Sequence, residues 1–234
     1  IDPDTGASPA SFEAAVKAAG AGIHAVNAAA AGELKRAFCA VRPPGHHAEK
    51  DRAMGFCIFN NIAVAAEQAV EKGFCKPAIV DFDVHHGNGT QHTFYRRGDI
   101  LYISLHPYPA YPGTGSKEEK GQGDGRGTTV NIPLPPGTGA QDFLRAFDEQ
   151  ATPLVHAFAP DILLLSAGFD AHAADPLASL GLEADTYEVL TQRLVRIAEE
   201  TADGRIISFL EGGYNLEALG ESIAGHISGL TGGA

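Results

Sequence analysis

The feature that most constrains the fold is a series of short, nearly continuous apolar runs separated by helix-like segments. Runs of this kind are typical of parallel strands covered on both faces. Strands that alternate with helices predict βαβ units, and therefore an α/β fold with a mostly parallel central sheet. A further strand, TTVNIPL at 128–134, follows a long stretch rich in Gly and Pro. The five main runs are AFCAV at 37–41, AIVDFDV at 78–84, ILYISL at 100–105, DILLLS at 161–166 and IISFL at 206–210.

Five helices are predicted around these strands, and no internal repeat or linker interrupts the chain. Its 234 residues suit one large domain over 1–234 better than two small ones. The predicted helices cover 11–31, 60–72, 141–158, 184–202 and 216–230.

Charge and hydropathy exclude several classes of function. The chain carries 17 Lys and Arg against 29 Asp and Glu, a net charge of −12, which argues against nucleic-acid binding because that needs a basic surface. No apolar run approaches the ~20 residues that span a bilayer, so we expect no membrane partner. Three cysteines and no visible secretory signal predict free thiols in a reducing compartment, the cytoplasm.

Polar, chemically active residues follow each of the five main strands. In a parallel sheet the carboxyl ends of all strands meet at one edge, where ligands bind. We therefore expect these residues to line a single crevice. They are RPPGHH at 42–47, HHGN at 85–88, His106, AGFDAH at 167–172 and EGGY at 211–214.

Asp81, Asp83 and His85 have the i, i+2, i+4 spacing that places side chains on one face of a strand. Two carboxylates buried together need compensation by hydrogen bonds or by a cation. Asp83 and His85 supply two metal ligands, and Asp170 at the end of another strand is the obvious third. Three N/O ligands with an open fourth position are typical of a catalytic zinc site; a solvated strand end without metal is the alternative.

A histidine pair and a tyrosine complete the expected crevice. His46 and His47 follow Pro-Pro-Gly, and beside a metal they indicate a general acid/base pair, although adjacent histidines are also common as polar loop residues. Tyr214 follows Gly212, whose missing side chain permits close approach to a ligand. Its phenol is either a donor to a developing oxyanion or a packing residue at a helix start.

With these residues assembled, the chain resembles the zinc-dependent deacetylases, a family of histone deacetylases, acetylpolyamine amidohydrolases and acetoin-utilisation proteins. The resemblance runs from about residue 2 to residue 230, and the form of its motifs is similar to the class II branch and to bacterial deacetylase-like amidohydrolases. It implies a three-layer arginase/deacetylase-like fold. The motifs are RPPGHHA at 42–48, GFCIFNN at 55–61, DFDVHHGNGTQ at 81–91, SAGFDAHAADPL at 166–177 and LEGGYNL at 210–216.

The resemblance implies a role for each matching position. Asp83, His85 and Asp170 bind Zn²⁺, His47 is the base that activates water, and Tyr214 hydrogen-bonds the substrate carbonyl. His46 is the neighbouring electrostatic histidine, paired with Asp81. The positions implied to contact substrate in a tunnel and at its rim are Gly55, Phe56, Tyr111, Leu177 and Gly212.

The resemblance also implies a structural K⁺ site and several departures from the family pattern. The K⁺ ligands would come from Asp81, Asp83, His85, Ser104 and Leu105. Asn88 stands where class I members have an aspartate beside the base, so His47 should be held less strongly as a cation. Tyr111 replaces a common phenylalanine. The family is usually longer at its N-terminus, so we expect an edge strand and rim loops to be missing there.

The expected reaction is hydrolysis of an N-acetyl amide on lysine or a related amine. Fe²⁺ accepts the same ligands as Zn²⁺, and the sequence leaves the physiological substrate and any oligomer open. Two alternatives remain: a metal-containing module that binds acyl ligands without turnover, and an arginase-like two-metal hydrolase.

Overall fold

The computed structural model describes residues 3–177 and 179–232, and its core is a six-stranded sheet. The strands are β1 (Arg36–Cys39), β2 (Pro77–Asp81), β3 (Leu101–Pro107), β4 (Thr129–Leu134), β5 (Ile162–Ala167) and β6 (Ile206–Leu210). Their order is β1-β6-β5-β2-β3-β4, and every neighbouring pair is parallel. The predicted α/β class with a parallel sheet is confirmed.

Helices cover both faces of this sheet, which explains why the strands are apolar on both sides. On β2, Ile79 packs into the core on one face while Ala78 and Val80 pack into the core on the other. The first core is completed by α1 (Ser11–Ala30) and α2 (Asn61–Glu71), and the second by α4 (Ala140–Ala146), α5 (Thr152–Phe158), α6 (Ala184–Thr201) and α7 (Leu216–Thr231). These are the three layers that the resemblance implies.

Two stretches differ from the predicted helices. The helix predicted over 141–158 is divided into α4 and α5 by one π-helical stretch, Phe147–Ala151. A short helix, α3 (Asn88–Phe94), lies outside the five predicted ranges. It is only seven residues long and begins at Asn88, inside a motif dominated by polar residues, so hydrophobic periodicity carries no signal for it.

The strand that was predicted to run to Val84 ends at Asp81. The expectation that strand alternation brings three side chains to one face is therefore wrong for Asp83 and His85, which lie in a bent segment beyond β2. Each carboxylate in this segment instead accepts a hydrogen bond from the backbone N–H two residues later. Asp83 N–H donates to Asp81 Oδ1 at 3.2 Å, and His85 N–H donates to Asp83 Oδ1 at 2.8 Å.

No helix among the described residues is both long enough and apolar enough to cross a bilayer.

Candidate metal centre and catalytic pocket

Asp83, His85 and Asp170 converge beyond the carboxyl ends of β2 and β5. One potential ligand atom from each lies within 4.8 Å of the other two. His85 Nδ1 lies 3.1 Å from Asp170 Oδ2 and 3.2 Å from Asp83 Oδ1. The structure thus brings the three predicted metal ligands together, and it is the one cluster of this kind within residues 3–177 and 179–232.

Backbone N–H groups hold both carboxylates in place. Gly212 N–H donates to Asp83 Oδ2 at 2.8 Å, and Val84 N–H donates to Asp170 Oδ1 at 3.0 Å. Gly212 is required here because a Cβ on it would lie 2.2 Å from Asp170 Oδ2. The sequence predicts that Gly212 lies close to a ligand. In the structure it lies close to the side chains that would hold the metal.

The electrostatics of this cluster fit a bound cation. Burial disfavours a charged imidazole, but the adjacent carboxylates of Asp170 and Asp83 outweigh that effect and raise the pKa of His85 to about 10. Burial and the charge of Asp83 raise the pKa of Asp170 to about 6. Asp170 Oδ2 is buried and makes no hydrogen bond of good geometry, its 3.1 Å contact with His85 Nδ1 being an ion-pair contact. A divalent cation among these atoms would satisfy that oxygen and offset the repulsion between the carboxylates.

His46 and His47 are both buried, with ring centroids 4.1 Å apart, yet their surroundings differ. His46 Nδ1 lies 3.0 Å from Asp81 Oδ2. Burial opposes its charged form, but the charges of Asp81 and Asp83 raise the pKa of His46 well above its ordinary value. Burial and the neighbouring charge of His46 lower the pKa of His47 well below its ordinary value. These opposite shifts favour the charged form of His46 and the neutral form of His47.

The partner of His47 determines which of its nitrogens carries the proton. His47 Nδ1 lies 2.7 Å from Asn88 Oδ1, an oxygen that can only accept. The proton is therefore on Nδ1, and Nε2 keeps its lone pair. This arrangement suits a general base.

A cavity of about 310 Å³ opens onto these groups. Tyr111 forms one wall, with its ring edge-on to His47 at 5.3 Å and to His85 at 5.8 Å between centroids. Phe56 packs edge-on to Tyr214 at 5.7 Å. The cavity is lined by Asp4, His47, Gly55, Phe56, His85, Tyr111, Leu177 and Tyr214.

Four of the five predicted substrate positions, Gly55, Phe56, Tyr111 and Leu177, line this cavity, whereas Gly212 does not. Gly55 has φ +56°, and a Cβ there would lie 2.4 Å from the His47 ring, so only glycine lets the chain pass so close to the base. Phe56 also has a positive φ, of 66°, and its side chain lines the cavity. Leu177 is 52% exposed at the rim.

Ser104 and Leu105 are among the predicted residues that do not line the cavity. Ser104 and Leu105 are buried within β3, and Ser104 pairs with Asp81 in the β2–β3 register. Ser104 Oγ lies 2.8 Å from His106 Nδ1, while Asp81 Oδ2 accepts from Tyr102 Oη at 3.1 Å. Asp81 is linked to the candidate metal centre by the hydrogen bond that Asp83 N–H donates to Asp81 Oδ1.

Sequence reasoning assigned no role to three residues of the site. Glu211 Oε2 accepts from the backbone N–H of Gly45 at 2.6 Å and of His46 at 3.2 Å, and so fixes the loop that carries both histidines. Asp175 Oδ2 accepts from Tyr214 N–H at 2.6 Å, and Asp4 lines the cavity. The position of Glu211 directly after a buried strand was an available signal. Asp4, remote from every strand, offered none.

Comparison with known proteins places this site in a family. The Histone deacetylase domain family matches residues 1–230. A rice protein (Oryza sativa subsp. japonica) named histone deacetylase 10, chloroplastic, is 49% identical over 94% of this chain and 51% of its own length. A Pseudomonas aeruginosa protein named histone deacetylase-like amidohydrolase is 44% identical over 92% of this chain and 57% of its own length.

The fold agrees with the sequence comparison. A crystal structure described as the HDA15 HD domain superposes with a TM-score of 0.95 at 42% identity, covering 100% of this chain and 66% of that one. The chain thus spans between about half and two thirds of these relatives. Both comparisons lead to one conclusion: the chain belongs to the histone deacetylase domain family.

Proposed function

We propose that this chain is a zinc-dependent amidohydrolase that removes acetyl groups from lysine side chains or related amines. The observation that carries the proposal is the pairing of His47, whose Nε2 is free to accept a proton, with a three-ligand cluster that reaches the same cavity through His85. The names of the relatives, which include a deacetylase and an amidohydrolase, support the same reaction.

Asp83, His85 and Asp170 would hold the zinc ion. When bound there, Zn²⁺ supplies a Lewis acid that polarises the amide carbonyl and lowers the pKa of a nearby water. Fe²⁺ fits the same N/O ligands. In the metal-loaded protein, His47 Nε2 removes the proton from the attacking water and then delivers it to the departing amine.

Two further residues assist the reaction, one as a hydrogen-bond donor and the other through its positive charge. Tyr214 lines the cavity, and burial together with the negative charges of Asp83 and Asp170 raises the pKa of its phenol. It therefore stays protonated and donates a hydrogen bond to the carbonyl oxygen as negative charge forms. His46, held as a cation by Asp81, discourages protonation of His47 before water attacks.

The proposal includes a structural K⁺ site. The K⁺ ligands would be Asp81 and Ser104, with the backbone carbonyls of Asp83, His85 and Leu105. The Asp81 carboxylate is completely buried, so a cation beside it would offset the cost of burying its charge.

Cys39 and Cys57 are buried free thiols, whereas Cys75 is exposed. Free thiols favour a reducing compartment such as the cytoplasm.

The two alternatives are less well supported. A binding module without turnover would not need a neutral base and a protonated phenol on one cavity. An arginase-like hydrolase needs a second metal, and only one cluster of ligands occurs within the described part of the chain.

The test uses a fluorogenic acetyl-lysine peptide and the zinc-loaded chain. We expect fluorophore release that a chelator abolishes and added Zn²⁺ restores. Binding of the peptide without release would favour the binding module, and two metal ions per chain by elemental analysis would favour the two-metal hydrolase.

A further inference from the structure

Glu49 lies in the loop after the histidine pair and outside the cavity that holds the base. Its side chain is only 13% exposed. Asn88 Nδ2 donates to Glu49 Oε1 at 2.5 Å. On the other side, His92 Nδ1 lies 2.8 Å from Oε1 and 2.9 Å from Oε2, and the His92 side chain is 48% exposed. Glu49 thus connects the amide partner of the base to the protein surface.

The orientation of Asn88 determines whether His47 can act as a base. An asparagine amide has an accepting oxygen and a donating NH₂ group of similar size. With the oxygen towards His47, the imidazole proton lies on Nδ1 and Nε2 is free. With the amide reversed, its NH₂ group would donate to Nδ1, the proton would move to Nε2, and the base would be lost.

The groups around the Asn88 NH₂ decide between these orientations, and all of them accept hydrogen bonds. The His47 carbonyl oxygen lies 3.3 Å away and Met54 Sδ lies 3.5 Å away, whereas Glu49 Oε1 lies 2.5 Å away. The contact with Glu49 Oε1 is the shortest of the three, and Glu49 is the only one of these acceptors that carries a charge. Reversing the amide would place its oxygen against a carboxylate, which is strongly unfavourable.

We propose that Glu49 is a positioning residue for the base: through Asn88, its carboxylate keeps the proton on Nδ1 of His47 and leaves Nε2 free. The inference rests on the proposed role of His47. An aspartate at position 88 would place its negative charge directly beside the imidazole. Here the charge is on Glu49, which contacts the imidazole only through Asn88.

Glu49→Gln is the first test, because it keeps the shape of the side chain and removes the charge. A glutamine can either accept from Asn88 or donate to it, so the amide is no longer held in one orientation. We expect kcat to fall by about 10- to 100-fold, the usual range for partners of catalytic groups, while KM and zinc content stay unchanged. Glu71 is exposed and lines a surface groove together with Glu49, so Glu71→Gln is the matched control and keeps the wild-type kcat.

The combination with Asn88→Asp separates positioning from simple loop support. Asn88→Asp alone places two carboxylates against each other and should also be slow. In the double variant the introduced amide donates to the introduced carboxylate, which still accepts from His47 Nδ1. We expect kcat at least about tenfold above that of Glu49→Gln. A double variant no faster than the slower single variant would overturn the proposal.

The tautomer of His47 can be read without any turnover, by ¹⁵N NMR of the imidazole rings at pH 8. The His47 signals are identified by their loss in His47→Gln. We expect the Nδ1–H tautomer in the wild type and a shift towards Nε2–H in Glu49→Gln. If the wild type hydrolyses no acyl amide, the proposed function fails while this measurement still decides the role of Glu49. An unchanged tautomer in Glu49→Gln would contradict that role.

Discussion

Two groups of histidines lie at the same edge of the sheet but differ in their electrostatics. His46 and His85 face carboxylates, and their pKa values are raised. His86 and His106, here called the neutral pair, contact each other with ring centroids 4.8 Å apart and ring planes tilted by 50°. Burial, together with the charge of His106, lowers the pKa of His86 to about 2, and burial lowers the pKa of His106 to about 4.

The difference in pKa between the two groups comes from the hydrogen-bond partners of the histidines and not from how deeply each ring is buried. His86 contacts Thr114 Oγ1 at 2.8 Å and Gln91 Oε1 at 3.1 Å. His106 contacts Ser104 Oγ at 2.8 Å and the Gly115 carbonyl at 2.9 Å. None of these partners is charged. The neutral pair therefore attaches the loop that carries Tyr111 to the sheet, whereas the histidines that face carboxylates belong to the candidate metal centre.

The largest expected effect separates the two groups by metal binding. Asp170→Ala removes a ligand, so we expect zinc bound per chain to fall towards zero and activity to fall by more than about 100-fold. His106→Gln, the matched variant in the neutral pair, should keep its zinc. Elemental analysis of both purified variants checks this, and stoichiometric zinc in Asp170→Ala would refute the ligand assignment.

Tyr214→Phe tests whether the cavity beside the candidate metal centre contains a hydrogen-bond donor for the oxyanion. We expect kcat to fall by about 10²–10³, the scale of losing one such donor, because the phenyl ring keeps its contact with Phe56 but cannot donate. Zinc content and thermal stability should not change. A kcat close to that of the wild type would remove Tyr214 from the mechanism.

The pH dependence of stability tests the neutral pair. The pKa of His106 is about 4 in the folded chain, below its ordinary 6.5, so between these values only the unfolded chain binds the proton. Its contribution to stability is complete above pH 6.5 and is lost as pH falls, by about 1.4 kcal/mol per pH unit. Urea unfolding from pH 7 to pH 5 should show a shallower loss for His106→Gln. Identical slopes would mean that His106 is not held neutral.

The smallest effect is expected for Thr114→Val, which removes one hydrogen bond from His86. We expect a loss of about 1 kcal/mol in the free energy of unfolding and no change in zinc content, measured by urea unfolding and elemental analysis. Loss of zinc in this variant would show that the neutral pair also supports the metal centre.

Part of the site was predictable because its residues lie next to strong local signals. Asp83, His85 and Asp170 follow apolar runs, and parallel strands bring such ends together. The alternation argument for Asp83 and His85 failed because β2 ends at Asp81, where backbone-to-carboxylate hydrogen bonds take over. Strand ends depend on competing hydrogen bonds, which hydrophobic periodicity does not report.

The order of apolar runs and polar motifs determined the parallel sheet and the chemistry at its edge, since runs apolar on both sides must be covered on both faces. Only the tertiary structure decided which histidine is charged, which nitrogen of His47 is free, and which residues hold the loops. Glu211 reaches Gly45 across 166 positions of the chain. Such contacts act over about 3 Å, a distance that separation along the chain does not encode.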